Sequence, residues 1–409
     1  MPLGESSPGE VAKRGTEAKA LFPVDRDGLV ELTGQLIRVP SLSGQEAGVA
    51  RVLAAALREL GWEDVAIDAK NNVLAWLRGP RPGPTLMLNG HIDHAPPGSM
   101  PEPYGGQEVD GAAYGVPGRV IRGRGAVDMK GAIAAMAWAG AALKREGGPK
   151  SGALLLVANT FEEVSTAEGI NEVFLVDGVK ADMAVCGEAT GLEIYLGHRG
   201  MVEVKVTAIG RTSHASNPSR GVNAIYLAQA FLETLEEAAS RRPTGHFLGD
   251  VVATPIDITA SPGRDAPIVP DRCSVHIDRR FLPGETPDEI VAQIRELIEV
   301  TRRRNPDFRA EVEIPRVFPH LWCPPEEPVV AALKSARTAV MGSEGPVGRW
   351  LFGTDGAYIA AFGVPCAGFG PGDERFAHTP EDHVPVSHLL AAAQVYAAWA
   401  ADILSKGAD

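Results

Sequence analysis

The stretch TLMLNGHIDHA, residues 85–95, decides how this chain is read. Leu86-Met87-Leu88 is a short apolar run of the kind that forms a buried strand. It breaks at Asn89-Gly90 into His91, Asp93 and His94. A buried strand that ends in imidazoles and a carboxylate needs something for those groups to bind, because unpaired polar groups are costly away from water.

Working outward, the same theme recurs three times. ALLLVANT precedes Phe161-Glu162-Glu163, DMAVCG precedes Glu188, and AAFGVPCAGFG stands shortly before His378. Apolar helical stretches follow or flank these breaks. One is predicted over 131–144, others over 25–39 and 45–60. Strands alternating with helices predict an α/β fold, a mixed sheet covered by helices on both faces. Ligands of such sheets bind at the carboxyl ends of the strands, so the four breaks would meet along one edge.

The pattern changes between about 196 and 315. MVEVKVTAIG (201–210), SVHIDRRF (274–281) and RAEVEIP (309–315) alternate like half-exposed strands. Helical stretches are predicted between them, over 223–240 and 287–304. This describes an inserted α+β open-faced sandwich. The expected organisation is therefore a polar N-terminal extension over 1–22, mobile as such termini usually are. A catalytic domain follows, formed by 23–196 and 316–409, with an inserted domain over 197–315.

Composition narrows the partners. A net charge of −13 over 409 residues disfavours nucleic acid and anionic membranes, which need basic surface. Cys186, Cys273, Cys323 and Cys366 are far apart and form no CxxC, which fits reduced thiols in the cytoplasm. No signal peptide or membrane-length apolar run is read from the sequence.

The chemistry lies in the joint placement of the polar residues. Singly, an aspartate before a helix is a cap and a glutamate pair is a solvated face. Together His91, Asp128, Glu163, Glu188 and His378 supply two imidazoles and three carboxylates, a donor set for two divalent cations. With Asp128 bridging, each ion would receive one histidine, one carboxylate of its own and a shared hydroxide. Two dications then balance three carboxylates and the hydroxide. Asp93 is placed to orient the His91 ring. Glu162 points away from its neighbour Glu163 on an extended backbone, and is the expected general base. Zinc suits these ligands best, with cobalt or manganese as substitutes.

The motifs GHIDHAPPG, GRGAVDMKGA, TFEEV, GEATGLEIYLGHRG, GRTSHASNPSRGVNAI and ERFAHTPEDHVPV occur in order. They resemble the zinc-dependent aminoacylase family that includes acetylornithine deacetylase, succinyl-diaminopimelate desuccinylase and glutamate carboxypeptidase. Within it, GHRG, VPDRCSVHIDRRFLPGE and FGTDGA…GFGPGDE are most similar to the selenium-metabolism-linked hydrolases. The resemblance implies a zinc-peptidase-like catalytic domain with a lid and dimerisation domain. It gives the same five residues as metal ligands and Glu162 as the base. It implies that His214 of SHAS reaches the site of a partner subunit and stabilises an oxyanion. It implies Arg280 as the anchor of a substrate carboxylate, and Gly353 and Thr354 as part of the turn beneath the substrate. Two positions depart from the family pattern: Phe161 stands where an aspartate is common, and Ala266 where a substrate-contacting asparagine is common.

The expected activity is metal-dependent hydrolysis of an amide or peptide bond in an N-acyl amino acid or small peptide. Two other readings stay open. One is a metal-dependent aminopeptidase or dipeptidase, and the other is an inactive regulatory homologue that binds metal; the retained Glu162 speaks against the latter. A serine hydrolase is disfavoured because no GxSxG elbow is present.

Overall fold

The computed structural model describes residues 22–239, 245–264 and 267–405. Most of the expected N-terminal extension, and Ala266, lie outside the described residues. Phe22, assigned to that extension, is buried against the main core.

The central sheet has eight strands, and four neighbours in it carry the recurring theme. Ala153–Asn159, Thr85–His91, Met183–Cys186 and Cys366–Gly368 lie side by side and all run parallel. Their carboxyl ends therefore share one edge. On the outer side of this group, Val73–Arg78 and Glu63–Ile67 add antiparallel strands. The short strands Ile194–Tyr195 and Val347–Gly348 complete the other side.

Side chains alternate between the two faces of the sheet, as strand geometry requires. Leu86, Leu88, Leu154 and Leu156 join the helices Arg26–Arg38, Ala47–Glu59, Gly131–Arg145 and Val386–Leu404 in one core. Met87, Leu155, Val157 and Ala184 join Ile170, Val173, Trp350 and Ile359 in another. Burial on both faces explains why these strands read as continuous apolar runs. The segment Ala126–Arg145 is long and apolar enough to cross a membrane, but its apolar window is 89% buried inside the fold, as suits a core helix.

The inserted unit is a four-stranded antiparallel sheet in the order Val252–Ser261, Arg272–Phe281, Gly200–Ile209, Ala310–Phe318. The helices Ala224–Ala239 and Pro287–Arg304 cover one face and form a separate core with Val204, Val206, Val275 and Ile277. The second helix opens with a capping box between Thr286 and Glu289. The last strand runs on to Phe318, across the division expected at 315/316. Its end at Phe318 lines one cleft together with residues at the carboxyl edge of the central sheet.

Candidate metal centre

The five candidate ligands come together at the shared carboxyl edge. His91 ends its strand, and its Nε2 lies 2.9 Å from Oδ1 of Asp128 and 3.3 Å from Oε1 of Glu188. His378 approaches from the opposite side. Its Nε2 lies 3.0 Å from Oδ2 of Asp128 and 2.9 Å from Oε2 of Glu163. Asp128 thus gives one oxygen to each imidazole. Potential ligand atoms of His91, Asp128 and Glu163 lie within 4.8 Å of one another, as do those of His91, Glu162 and Glu188.

Local structure explains these positions. Asp128 sits in the irregular segment 126–130, entered through Gly125 at φ 82°. Asp382 fixes that segment by accepting the N–H groups of Gly125 (2.7 Å) and Val127 (2.9 Å) and a hydrogen bond from Arg124 (3.1 Å). Because Asp382 lies four residues beyond His378, it ties two ligand-bearing loops together. Glu188 is placed by an equally close approach: the backbone of Gly370 passes so near that an added Cβ would lie 2.1–2.2 Å from the carbonyl oxygens of Gly187 and Glu188.

The carboxylate of Asp93 lies 3.5 Å from Nδ1 of His91, and its backbone carbonyl is closer, at 3.0 Å. The carboxylate also accepts from Ser43 Oγ (2.6 Å) and from the N–H groups of Glu162 (3.3 Å) and Glu163 (3.2 Å). It holds the turn that presents the glutamate pair. The residue before that pair, Phe161, adopts φ 62°. Aspartate and asparagine tolerate this left-handed region better than a bulky side chain does.

Electrostatics favour positive charge between the carboxylates. Burial works against protonation of His91, yet hydrogen bonds to Asp128, Asp93 and Glu188 raise its pKa well above the usual value. Hydrogen bonds to Asp128 and Glu163 raise His378 to about 10. Burial and the charge of Asp128 push Glu188 up to about 7. Burial also raises Glu162 well above the carboxylate range; His91 opposes this, while Asp355, Glu188 and Asp128 reinforce it. Crowded carboxylates that draw protons onto two imidazoles are a set that divalent cations would neutralise. The donors therefore fit a two-ion centre.

The cleft holds about 420 Å³. Asp128, Glu162, Glu163, Glu188 and His378 line one side, and Met201, Asp278, Arg280, Arg316 and Phe318 line it from the inserted sheet. Gly353 lines it as well. Thr354 does not, because it is buried and its Oγ1 and N–H contact His198 Nε2 at 3.2 and 3.0 Å. Arg280 is in the cleft but already grips Asp278 through Nε (2.7 Å) and Nη2 (2.9 Å). His214 is exposed and lies beside Ser213, Pro262 and Ile268, in a concavity separate from the cleft of its own chain.

Several contributors were missed in the sequence. Asp355, next to the predicted Thr354, is buried and accepts a hydrogen bond from Asn159. Asn159 in turn accepts from Asn89 at 2.8 Å, beneath the His91 strand end. Asp355 and Asp382 each lie within a motif already singled out, but nothing in their spacing marks them as buried. Ser43 and Arg316 carry no local signal.

The sequence model of peptidase family M20/M25/M40 matches residues 87–402, which include all five candidate ligands. The chain belongs to this family. Like other M20-type peptidases, it is a metallohydrolase that acts on C–N bonds. The YgeY protein of Escherichia coli K12 is 32% identical over 382 residues, covering 89% of this chain and 91% of that one. A protein described as a putative succinyl-diaminopimelate desuccinylase of Mycobacterium tuberculosis is 29% identical over 368 residues, covering 89% and 95%. Among solved structures, aminopeptidase PepT of Bacillus cereus superimposes with a TM-score of 0.75 at 22% identity, covering 94% of this chain and all of that one. At that identity the likeness concerns the fold.

Proposed function

We propose that this M20-family chain hydrolyses the amide bond of an N-acyl amino acid or small peptide, with Glu162 as general base. The observation that carries this reading is the division of Asp128 between two imidazoles, with Glu162 beside them in the same cleft. His91, Glu188 and Asp128 would hold one divalent cation, and His378, Glu163 and Asp128 a second. Bound there, two such ions supply Lewis acidity toward a carbonyl and toward water. Zinc is the metal best suited to these ligands, with cobalt and manganese as substitutes.

The protein's own residues would do the rest. Asp93 and Ser43 hold the turn that aims Glu162. Glu162 takes a proton from the attacking water and returns it to the leaving amine. Arg280 would orient a substrate carboxylate, and Gly353 leaves room beneath the substrate.

The inserted unit, 197–315 in the sequence reading, would act as lid and dimerisation domain on a catalytic domain of 23–196 and 316–409. The position of His214 outside its own chain's cleft favours delivery to the cleft of a second copy, where its imidazole would stabilise the oxyanion. Four buried free cysteines suit a cytoplasmic setting.

The test is a hydrolysis screen of N-acyl amino acids and dipeptides with zinc-loaded protein. Glu162→Gln should lower kcat by about 10²- to 10⁴-fold, the usual contribution of a general base. Turnover that survives this substitution would remove the mechanism. Acylated and free-amine substrates, compared in the same screen, separate a deacylase from an aminopeptidase.

A further inference from the structure

The connection between the helices Arg26–Arg38 and Ala47–Glu59 contains Ser41-Leu42-Ser43-Gly44-Gln45-Glu46 and supplies none of the five metal ligands. It is laced to the loops that do. Ser41 Oγ donates to the carbonyl of Ile92 at 2.7 Å, and the Ser41 N–H donates to His94 Nε2 at 2.9 Å. Ser43 Oγ donates to the carboxylate of Asp93 at 2.6 Å. The segment thus grips Asp93 and both its neighbours, and Asp93 receives the N–H groups of Glu162 and Glu163.

Glu46 closes this segment, and the helix that follows does not account for its side chain. It is fully buried and makes no capping bond to that helix. Its Oε1 accepts the N–H of Gly44 at 2.8 Å. Among the described residues its Oε2 has no hydrogen-bond partner, and it is shut off from solvent. A buried oxygen in that state is costly, so its retention calls for a reason. Burial raises the pKa of Glu46 above its ordinary value; the N–H groups of Gly44, Glu46 and Phe161 oppose this, and the charge of Asp93 reinforces it. The carboxylate therefore stands close to both Asp93 and the backbone of Phe161.

Phe161 is where the glutamate turn needs support. Its φ of 62° lies in the left-handed region, which a bulky side chain keeps only where its surroundings enforce it. Its ring lies beside Gly44, where an added Cβ would be 3.7 Å from Cε1. Glu46 thus faces Phe161 in two ways, by holding Gly44 beside the ring and by facing the N–H. Three successive N–H groups, of 161, 162 and 163, face two buried carboxylates, as in a turn that binds an anion.

We propose that Glu46 is a positioning residue that holds Phe161 in its left-handed conformation and so aims Glu162. It acts through the turn and touches neither substrate nor the reacting atoms. The proposal rests on the reading of Glu162 as the general base.

Hydrogen exchange of metal-free protein, read by mass spectrometry over residues 160–164, tests this without metal or substrate. Glu46→Met fills the same space but offers no acceptor, and Glu46→Asp keeps the charge but is one methylene shorter. Either should speed exchange of this segment about tenfold and leave the helix 47–59 unchanged. Glu46→Gln keeps the acceptor for Gly44 and should restore protection. In zinc-loaded protein, with the fastest-cleaved compound of the hydrolysis screen, Glu46→Met should lower kcat about 10- to 100-fold, as for other groups that orient site residues. KM should stay within about threefold, and Glu46→Gln should recover most of kcat. Phe161→Asn, which tolerates this φ, should shrink the effect of Glu46→Met, because both changes act on one support. The proposal is overturned if Glu46→Met and Glu46→Asp leave exchange unchanged, if Glu46→Gln is as poor as Glu46→Met, if the loss falls on KM, or if the effects at 46 and 161 simply add. Failure of the base reading shows separately, as turnover that persists in Glu162→Gln.

Discussion

The carboxylate of Asp382 accepts the backbone N–H of Val127 at 2.9 Å, joining positions 255 residues apart. With its contacts to Gly125 and Arg124, it locks the segment that carries Asp128 to the loop that carries His378. Asp382→Ala would leave Arg124, 2% exposed, as a buried charge without its partner. Breaking a buried pair in this way costs about 3–5 kcal/mol. The expected outcome is a lower urea midpoint and metal affinity reduced about 10- to 100-fold, as for other groups that orient ligands. Denaturation and metal titration of the same variant measure both.

Gly370 offers a second test of how the edge is packed. A Cβ there would meet the backbone oxygens of Gly187 and Glu188 at 2.1–2.2 Å, and backbone cannot swing aside as a flexible side chain can. Gly370→Ala should destabilise the fold by about 1–3 kcal/mol and shift Glu188. The expected signature is a lower Tm together with weaker binding of metal; an unchanged Tm would contradict the close approach.

His198 predicts a specific pH dependence. Its Nε2 accepts the N–H of Thr354, so the ring carries its proton on Nδ1, which donates to the carbonyl of Arg199 at 3.0 Å. Burial lowers its pKa to about 4 from an ordinary 6.5. The unfolded chain therefore binds more protons between these values, and stability must rise with pH across that window. The contribution is complete above about pH 6.5 and is lost as pH falls toward 4, by up to about 3 kcal/mol. Urea unfolding of metal-free protein at pH 7.5 and 5 should show this loss, and His198→Gln, which cannot titrate, should show a smaller one.

The sequence made the ligand edge legible for a physical reason. Strands buried on both faces must be apolar throughout, so His91, Glu162–Glu163 and Glu188 stand out where such runs stop. The helix over 287–304 was equally plain, because Thr286 and Glu289 form a capping box and the apolar positions Ile290, Ile294 and Ile298 share a face. What stayed hidden depends on tertiary partners. Asp382 and Asp355 look like loop acids until their buried donors are known. Asp93 is placed beside His91 by sequence, but that its carboxylate also accepts the amides of Glu162 and Glu163, about 70 positions away, shows only in the fold. The end of the inserted unit is another such feature, because the ladder with Gly200–Ile209 continues past 315 to Phe318.

The central claim is that Asp128 is shared by two ions, one held with His91 and Glu188 and the other with His378 and Glu163. Equilibrium dialysis against zinc, followed by metal analysis, tests it most directly in the wild type and in His378→Ala. Two ions per chain in the wild type and one in the variant are predicted. A wild type that binds fewer than two, or a variant that keeps both, would contradict it.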